Sequence, residues 1–268
     1  MSSMDPARAR GFESWAGEYD RLRPPYPEEL FDTIRQRLGL SERPQVVDLG
    51  AGTGRASLAM AELGWRVTAV EPGKGMLDVL RANATDRGLL VSTVQGQAEA
   101  TGLDPGTAEL VTAAQAFHWF DQGQALAEVA RIVRPGGGVA LFWNVRDAER
   151  SPFLAEYAAL LDGYVGDDND MGRYERVGRD QLRASFAASS AFEPLELVNL
   201  HHEVSMTAGE FVALAFTASY VRVGLDPDRQ DRFRLDLAAL LGRHGHADAT
   251  PFPVPYRIDL WVARRRGS

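Results

Sequence analysis

The feature that most constrains this chain is an apolar segment that runs into three closely spaced glycines. Residues 46–57 read VVDLGAGTGRAS. This pattern predicts a short buried strand, a tight turn and the start of a helix. Glycines allow a ligand to approach the backbone closely, and the free N–H groups of a helix N-terminus offer hydrogen-bond donors at the positive end of its dipole. The segment therefore predicts a site for a ribose, carboxylate or phosphate group.

The order of strand and helix signals predicts the fold class. Apolar runs at 45–49, 65–70, 90–95, 108–114 and 139–143 alternate with helical patterns at 27–38, 56–63, 76–87 and 124–133. Strands separated by helices form parallel sheets that are covered on both faces. Longer half-buried strands at 193–204 and 256–263, with helices at 208–222 and 226–243 between them, favour an antiparallel edge pair. We therefore expect an α/β fold with a doubly wound, Rossmann-like, mostly parallel sheet.

Composition narrows the function classes. The formal net charge of -8 disfavours a nucleic-acid partner, and the basic residues 264–266 predict a solvated tail. The sequence has no cysteine, which excludes disulfides and thiolate nucleophiles and is typical of a reducing compartment. No run approaches the roughly 20 apolar residues of a membrane span, and residues 1–10 lack the core of a signal peptide. We therefore expect a cytoplasmic protein with a small-molecule partner, no nucleic acid and no membrane. The oligomeric state stays open.

A carboxylate after the next predicted strand supports a nucleoside site. Glu71 lies 21 residues after Gly50, where a carboxylate can accept hydrogen bonds from two ribose hydroxyls. A dinucleotide fingerprint would have a third glycine where Arg55 stands, but the glycine is one position earlier, at Gly54. The chain also has no Tyr-x-x-x-Lys pair. A nicotinamide-dependent oxidoreductase is therefore the weaker alternative.

Five blocks in a fixed order carry a family resemblance. Between Asp48 and Asn144 the chain reads DLGAGTG, VEPGKGM, VQGQAEA, AAQAFHWFD and RPGGGVALFWN. Together these blocks resemble class I S-adenosylmethionine-dependent methyltransferases of the small-molecule type, such as the ubiquinone/menaquinone and trans-aconitate enzymes. YDRLRPPYP, upstream, is similar to the N-terminal segment of that family. The resemblance implies S-adenosylmethionine as cofactor and a metabolite as methyl acceptor, and it does not extend beyond Val145.

The same resemblance divides the chain into segments. We expect one methyltransferase domain over 1–268, with an N-terminal segment and helix at 1–40 and a cofactor-binding core at 41–146. A candidate helical cap follows at 147–190 and includes the acidic run GDDND, and edge strands and helices occupy 191–268. A plain surface insertion is the alternative to the cap, because only some long connections are functional.

The resemblance also implies roles for particular residues. Asp48, Gly50, Ala51 and Gly52 are expected at the methionine part and ribose of the cofactor, and Glu71 at the ribose hydroxyls. Pro72 and Met76 are expected along the adenine, and Gln97, Ala98 and Glu99 at the adenine edge. Gln115 and Ala116 are expected at the methionine amino group. Tyr19 and Arg23 are further candidates. Arginine suits a carboxylate as a bidentate donor, with a surface salt bridge as the alternative. Core filling is the alternative for Met76.

The chemistry that the cofactor implies needs few catalytic groups. A sulfonium methyl is already activated, so in-line transfer mainly needs alignment of acceptor, methyl and sulfur. His118 is the candidate general base for a hydroxyl or carbon acid, and packing beside Trp119 or capping of the next helix is its alternative role. A carboxylate acceptor would need no base. The histidines at 201, 202, 244 and 246 lack a matching ligand set, so no metal is expected. A non-catalytic module that binds adenosylmethionine is a further alternative.

Overall fold

Strands and helices alternate through the first half of the protein, whose computed structural model describes residues 22–166, 174 and 178–267. The elements of this half are α1 (Glu28–Leu38), β1 (Gln45–Leu49), α2 (Arg55–Glu62), β2 (Arg66–Glu71), α3 (Lys74–Asp86), β3 (Val91–Gln95), β4 (Ala108–Ala114), α4 (Gln122–Ile132) and β5 (Val133–Arg146). Most ends lie within two residues of the predicted ones. Strand β5 is much longer than the predicted 139–143. It begins at Val133, which pairs with Ala108 of β4, and it reaches Arg146 because its polar end pairs with a strand from the far end of the chain.

The second half contributes two long strands and five helices among the described residues. They are α5 (Pro152–Val165), α6 (Arg179–Ala188), β6 (Glu196–Met206), α7 (Ala208–Phe216), α8 (Ser219–Arg222), α9 (Pro227–Arg243) and β7 (Phe252–Arg264). The predicted helix at 208–222 is interrupted, because the Thr217 hydroxyl donates a hydrogen bond to the Leu214 carbonyl oxygen and competes with the helical ladder. Most of the acidic run lies outside the described residues.

The seven strands form one sheet in the order β3-β2-β1-β4-β5-β7-β6. Strands β1 to β5 run parallel to one another, and β7 runs antiparallel to both β5 and β6. The predicted doubly wound sheet with an antiparallel edge pair is confirmed. The chain reverses its direction of winding at β1, which has β2 on one side and β4 on the other, and such a switch point places a ligand crevice at the carboxyl ends of the strands.

Helices cover both faces of the sheet, and a third group packs at its carboxyl-terminal end. Strand β1 shows the alternation, since Val46 packs with Phe31 of α1 on one face and Val47 with Val129 of α4 on the other. Helices α5, α7, α8 and α9 form a separate apolar cluster around Phe233. This helical layer therefore draws on residues beyond the predicted 147–190, and its role as a cap stays a prediction. In the described ranges no helix combines the length and apolarity that a bilayer crossing requires.

Candidate functional site

A cavity of about 430 Å³ opens at the carboxyl ends of β1, β2, β4 and β5. Its volume lies within the range of small-molecule and cofactor sites. The predicted residues that line it are Arg23, Gly50, Ala51, Gly52, Glu71, Pro72, Met76, Gln115 and Ala116. The sheet thus brings together residues that stand up to 93 positions apart in the sequence.

The glycine turn after β1 forms one wall of this cavity. The N–H groups of Gly50 and Ala51 both donate to the carbonyl oxygen of Val70, at 2.9 and 3.2 Å. Gly52 has a φ of 57°, and a Cβ at this position would meet no atom within 4 Å. Any side chain at Gly52 would therefore occupy cavity space, so the turn fits a ligand that lies directly on the backbone.

The Glu71 carboxylate is held at the end of β2 by two backbone donors. Its Oε2 accepts from the Gly52 N–H at 3.0 Å, and its Oε1 accepts from the Gly73 N–H at 2.9 Å. An ionised carboxylate has about four lone-pair positions, so each oxygen retains acceptor capacity. Glu71 is thereby oriented to accept two further donors from a ligand in the cavity.

Asp48 is buried beneath the turn and is not among the residues that line the cavity, and its expected contact with the methionine part stays a prediction. Its carboxylate accepts hydrogen bonds from the hydroxyls of Ser57 at 2.6 Å and Thr112 at 2.8 Å. Burial raises the pKa of Asp48 to about 6, although both hydroxyls lower it. Asp48 therefore supports the site by joining β1 to the first turn of α2 and to β4.

The adenine-edge residues are also absent from the described lining of the cavity. Ala98 is buried in the core, Gln97 is exposed, and Glu99 accepts the Asp121 N–H at 2.8 Å. A local bridge between Gln97 and Ala100 turns this segment. Their contact with the adenine stays a prediction.

Gln115, at the end of β4, has an unusual backbone conformation. Its φ of 57° is left-handed, and no other non-glycine residue in the described ranges has a positive φ. Its N–H donates to the Phe142 carbonyl at 2.9 Å, and its side-chain amide donates to the Asn144 carbonyl at 3.1 Å. Such strain persists where the surroundings hold it, and it clusters at ligand sites.

The N-terminal segment closes one side of the cavity. Arg23 and Pro24 line it, and so does Tyr26, whose ring meets Phe142 edge-on at 5.0 Å. Tyr19 lies outside the described residues. Arg23 thus lies at the cavity, and its contact with the cofactor stays a prediction.

His118 packs against tryptophan and is not among the residues that line the cavity. Its Nδ1 accepts a hydrogen bond from the indole N–H of Trp143 at 3.2 Å, and its ring lies 4.9 Å from that of Trp119. This arrangement matches the packing alternative. The role of His118 as a base stays a prediction without support from its position.

Sequence reasoning missed several lining residues. Trp119, Phe120, Asn144 and Arg55 all border the cavity. Trp119 and Phe120 belong to the sequence block that follows β4, and Asn144 ends the block that contains most of β5, so these positions could have indicated all three residues. The sequence indicates Trp119 only as a packing neighbour of His118, not as part of the cavity wall.

The other histidines have separate partners. The Nε2 of His202 lies 2.9 Å from the Asn144 side-chain oxygen, and His201 lies 3.0 Å from Asp147. His244 contacts Glu156, and His246 stacks on Phe252. Among the described residues no group of three or more metal-binding side chains is present, and the expectation of no metal stays a prediction.

Comparison with known proteins places the site in a family. A family model described as a methyltransferase domain matches residues 47–141. An uncharacterised methyltransferase of Mycobacterium tuberculosis is 42% identical over 159 residues, which are 59% of this chain and 60% of that protein. The ubiquinone biosynthesis O-methyltransferase of Vibrio cholerae is 32% identical over 51% of this chain and 59% of its own length.

A solved structure extends the likeness over most of the chain. The structure of a candidate type II methyltransferase from Anaeromyxobacter dehalogenans has a TM-score of 0.70 and 28% identity, and the match covers 92% of this chain and 99% of that one. The sequence relatives, in contrast, are matched over about 60% of their length. Residues 47–141 thus match a methyltransferase domain, and the chain is similar to class I S-adenosylmethionine-dependent methyltransferases.

Proposed function

We propose that the protein transfers a methyl group from S-adenosylmethionine to an oxygen, nitrogen or carbon atom of a small-molecule metabolite. The observation that carries this proposal is the cavity at the switch point of the sheet, where Glu71 is held by the Gly52 N–H and can accept further donors. The family of the domain supplies the identity of the cofactor.

The lining residues fit the parts of this cofactor. The backbone from Gly50 to Gly52 is open to the ribose and methionine part, and Glu71 accepts the two ribose hydroxyls. Pro72 and Met76 offer apolar surface to the adenine. Gln115 and Ala116 lie at the end of β4, where the amino group of the methionine part is expected.

Arg23 is placed to bind the cofactor carboxylate. It borders the same cavity, and a guanidinium pairs well with a planar carboxylate. Tyr19 is retained as a candidate partner on the same segment.

Catalysis in this proposal depends on alignment. The bound cofactor supplies an already activated methyl group. Tyr26, Trp119 and Phe120 line the cavity and offer apolar surface against which the acceptor can be held. Correct positioning of the acceptor against the methyl removes much of the entropic part of the barrier. A general base, with His118 as the sequence-based candidate, is needed only for an acceptor that must lose a proton before attack.

A metabolite acceptor is supported by charge and by relatives. The net charge of -8 repels phosphate backbones, and one relative is named for ubiquinone biosynthesis. The absence of cysteine fits a reducing compartment, so the cytoplasm is part of the proposal.

The direct test is a labelling experiment. The protein is incubated with methyl-deuterated S-adenosylmethionine and a metabolite extract of its source cell, and mass spectrometry follows labelled products and S-adenosylhomocysteine. A labelled small molecule identifies the acceptor. Tight binding of the cofactor without any turnover would support the non-catalytic module, and absence of binding would contradict the proposal.

Substitution of Glu71 tests the cofactor site itself. In Glu71→Gln, one of the two acceptor oxygens becomes an N–H₂ that faces a backbone donor of Gly52 or Gly73, and the negative charge is lost, so we expect affinity for S-adenosylhomocysteine to fall by about tenfold or more. Titration calorimetry measures this change. Glu62→Gln is the matched control, because Glu62 is half-exposed, lies outside the cavity and forms a surface ion pair with Arg87 at 3.2 Å. Equal affinities of the two variants would count against the assignment.

A further inference from the structure

Arg146, the last residue of β5, has aromatic neighbours instead of a described acidic partner. Its guanidinium carbon lies 5.0 Å from the centroid of the Tyr157 ring and 5.6 Å from that of Phe211. Its Nε is shielded from solvent and has no hydrogen-bond partner within the described ranges. None of the ion pairs formed between described residues includes Arg146, so its positive charge lacks a counter-charge there.

The surroundings keep this guanidinium charged. Burial acts to lower the pKa of Arg146, but the nearby phenol groups of Tyr157, Tyr256 and Tyr220, together with a hydrogen bond to the Tyr220 side chain, raise it. Tyr220 is a neutral partner and supplies no counter-charge at neutral pH. A shielded charge is costly unless an opposite charge compensates it. The side chain as a whole is only partly buried, so a ligand can supply that charge.

Arg146 belongs to a row of side chains that starts at the cavity wall. Arg146 on β5 is the register partner of Tyr256 on β7, which is the partner of His202 on β6. Directly opposed residues of antiparallel strands share a face of the sheet, and so do residues two apart on one strand. Asn144, which lines the cavity and contacts His202, therefore lies on the same face as Arg146.

A second group in this row has an unused hydrogen-bonding atom. The Tyr256 ring stacks on His202 with centroids 5.5 Å apart. Its hydroxyl is buried and has no partner in the described part of the chain. A buried hydroxyl without a partner is unusual, because burial of an unsatisfied polar group is costly. An oxyanion beside Arg146 would satisfy both groups.

Arg23 and Arg146 both contribute positive potential around Tyr157. Burial raises the pKa of Tyr157 to about 12, and the charges of Arg146 and, more weakly, Arg23 act in the opposite direction. Arg23 lines the cavity, and the Tyr157 ring lies against Arg146. This potential favours an acceptor that carries a negative charge.

We propose that Arg146 binds an oxyanion of the methyl acceptor, in the first instance a carboxylate, and that the Tyr256 hydroxyl donates a hydrogen bond to it. This inference rests on the proposed function. A guanidinium presents parallel donors that match the two oxygens of a carboxylate. The acid group is a recognition element, and a different atom of the acceptor receives the methyl group.

The geometry of β5 sets a minimum distance between the acid group of the acceptor and the atom that receives the methyl group. Asn144 borders the cavity, and Arg146 lies two residues further, which is about 7 Å along a strand. The acid group of the acceptor and its reacting atom are therefore at least about 7 Å apart. A compact acid, methylated on the carboxylate that binds Arg146, does not fit.

The test uses two matched probes on the protein saturated with S-adenosylhomocysteine. 3-Phenylpropionate carries the acid group, and 3-phenylpropionamide replaces it with a neutral group of the same shape. Titration calorimetry and thermal shift should show the acid binding about tenfold more tightly than the amide, as expected for a charge-assisted contact. The inference is overturned if the acid binds no more tightly than the amide and phenyl phosphate also shows no binding that depends on Arg146.

Three variants test whether the acid group of 3-phenylpropionate binds at Arg146. Arg146→Gln should weaken binding of 3-phenylpropionate by about tenfold or more, and Tyr256→Phe, which keeps the ring, by a smaller factor. Arg150→Gln is the control, because Arg150 is nearby, exposed and paired with Asp147. Unchanged binding to Arg146→Gln would contradict the proposal. If that variant does not fold, Arg146→Lys and Tyr256→Phe serve the same purpose.

Two further measurements distinguish a phosphate ligand from a carboxylate ligand, and a failure of this inference from a failure of the proposed function. Phenyl phosphate that binds more tightly than 3-phenylpropionate, in a manner that depends on Arg146, would support the oxyanion site and identify a phosphate as its ligand. Binding of S-adenosylhomocysteine is measured first. If it fails, the proposed function fails. If it succeeds and no anion binds, only the present inference is wrong.

Discussion

At the scale of single residues, Asp48 supports the glycine turn from beneath through its bonds to Ser57 and Thr112. The carboxylate is buried, with 1% of its surface exposed, and the pKa is raised from 3.8 to about 6. The largest cause is burial, while the Ser57 and Thr112 hydroxyls act in the opposite direction. At neutral pH the folded protein therefore holds a carboxylate whose ionisation opposes folding.

This raised pKa predicts the pH dependence of stability. Between pH 3.8 and about 6 the folded state binds more protons at Asp48 than the unfolded state does. The free energy of unfolding should therefore fall as the pH rises through this window, by at most about 3 kcal/mol. Asp48→Asn should remove this contribution, and urea unfolding at a series of pH values measures it.

The control residue for this prediction is Asp78, whose contribution to stability depends on pH in the opposite direction. The pKa of Asp78 is lowered, chiefly by its hydrogen bond with Lys74, so its contribution is present at neutral pH and is lost on acidification. Asp78→Asn should leave the Asp48 dependence intact. If Asp48→Asn follows the wild-type pH profile, the raised pKa of Asp48 is wrong.

Two glycine variants distinguish the effect of backbone strain at Gly52 from the effect of its place in the cavity wall. Its left-handed φ makes Gly52→Ala destabilising by about 1 kcal/mol, and the new methyl group would enter the cavity. We expect affinity for S-adenosylhomocysteine to fall by about tenfold. Gly106→Ala is the control, because Gly106 has a similar φ of 66° and open space around it but does not line the cavity. It should lose similar stability and keep its affinity, as measured by unfolding and calorimetry.

At the scale of elements, the start of α7 is defined by a capping box. The Thr207 hydroxyl accepts the Glu210 N–H at 3.2 Å, and the Glu210 carboxylate accepts the Thr207 N–H at 2.8 Å. This cap fixes the helix that places Phe211 against Arg146. The same two interactions also satisfy donors that would be left without a partner at a helix end.

Removal of this cap should weaken the helical layer. Thr207→Ala is expected to lower the free energy of unfolding by about 1 kcal/mol. The same change at Thr85, an exposed residue within α3 whose hydroxyl bonds to the Arg81 carbonyl, should be neutral or slightly stabilising, because alanine favours the helix interior. Chemical denaturation compares the two variants. Equal losses would show that the Thr207 cap contributes nothing specific.

At the scale of the whole molecule, a buried acidic group joins distant parts of the chain. Asp259 of β7 is fully buried and pairs with Arg179 of α6 and with Arg257 at 2.8 Å. The Tyr174 hydroxyl donates to it at 3.3 Å and accepts the indole N–H of Trp261 at 2.9 Å. This network attaches α6 and Tyr174 to the antiparallel part of the sheet.

Loss of this carboxylate should be strongly destabilising. Asp259→Ala would leave two arginines without their buried counter-charge, and we expect a loss of about 3 kcal/mol in the free energy of unfolding. Asp180→Ala is the control, since Asp180 is exposed and its 3.5 Å pair with Arg183 lies at the surface. It should change stability by less than about 1 kcal/mol. Similar effects of the two substitutions would refute the role of the network.

Much of the fold could be predicted because it depends on local pattern. Buried parallel strands such as β1 and β4 are continuous apolar runs, and the glycines and helix starts between them mark each crossover. The end of β5 could not be predicted in this way. Asn144 and Arg146 are polar, and only pairing with β7, over 100 residues later, extends the strand to them.

The amino-acid sequence by itself determined the doubly wound sheet, the glycine turn at Gly52 and the carboxylate at Glu71, because these features depend on neighbours close in the chain. Only the tertiary structure decided where side chains point. Strand β1 is buried on both faces, so nothing local indicates that Asp48 turns inward, or that His118 meets Trp143. The row from Asn144 to Arg146 and Tyr256 likewise exists only because antiparallel pairing brings remote strands into register.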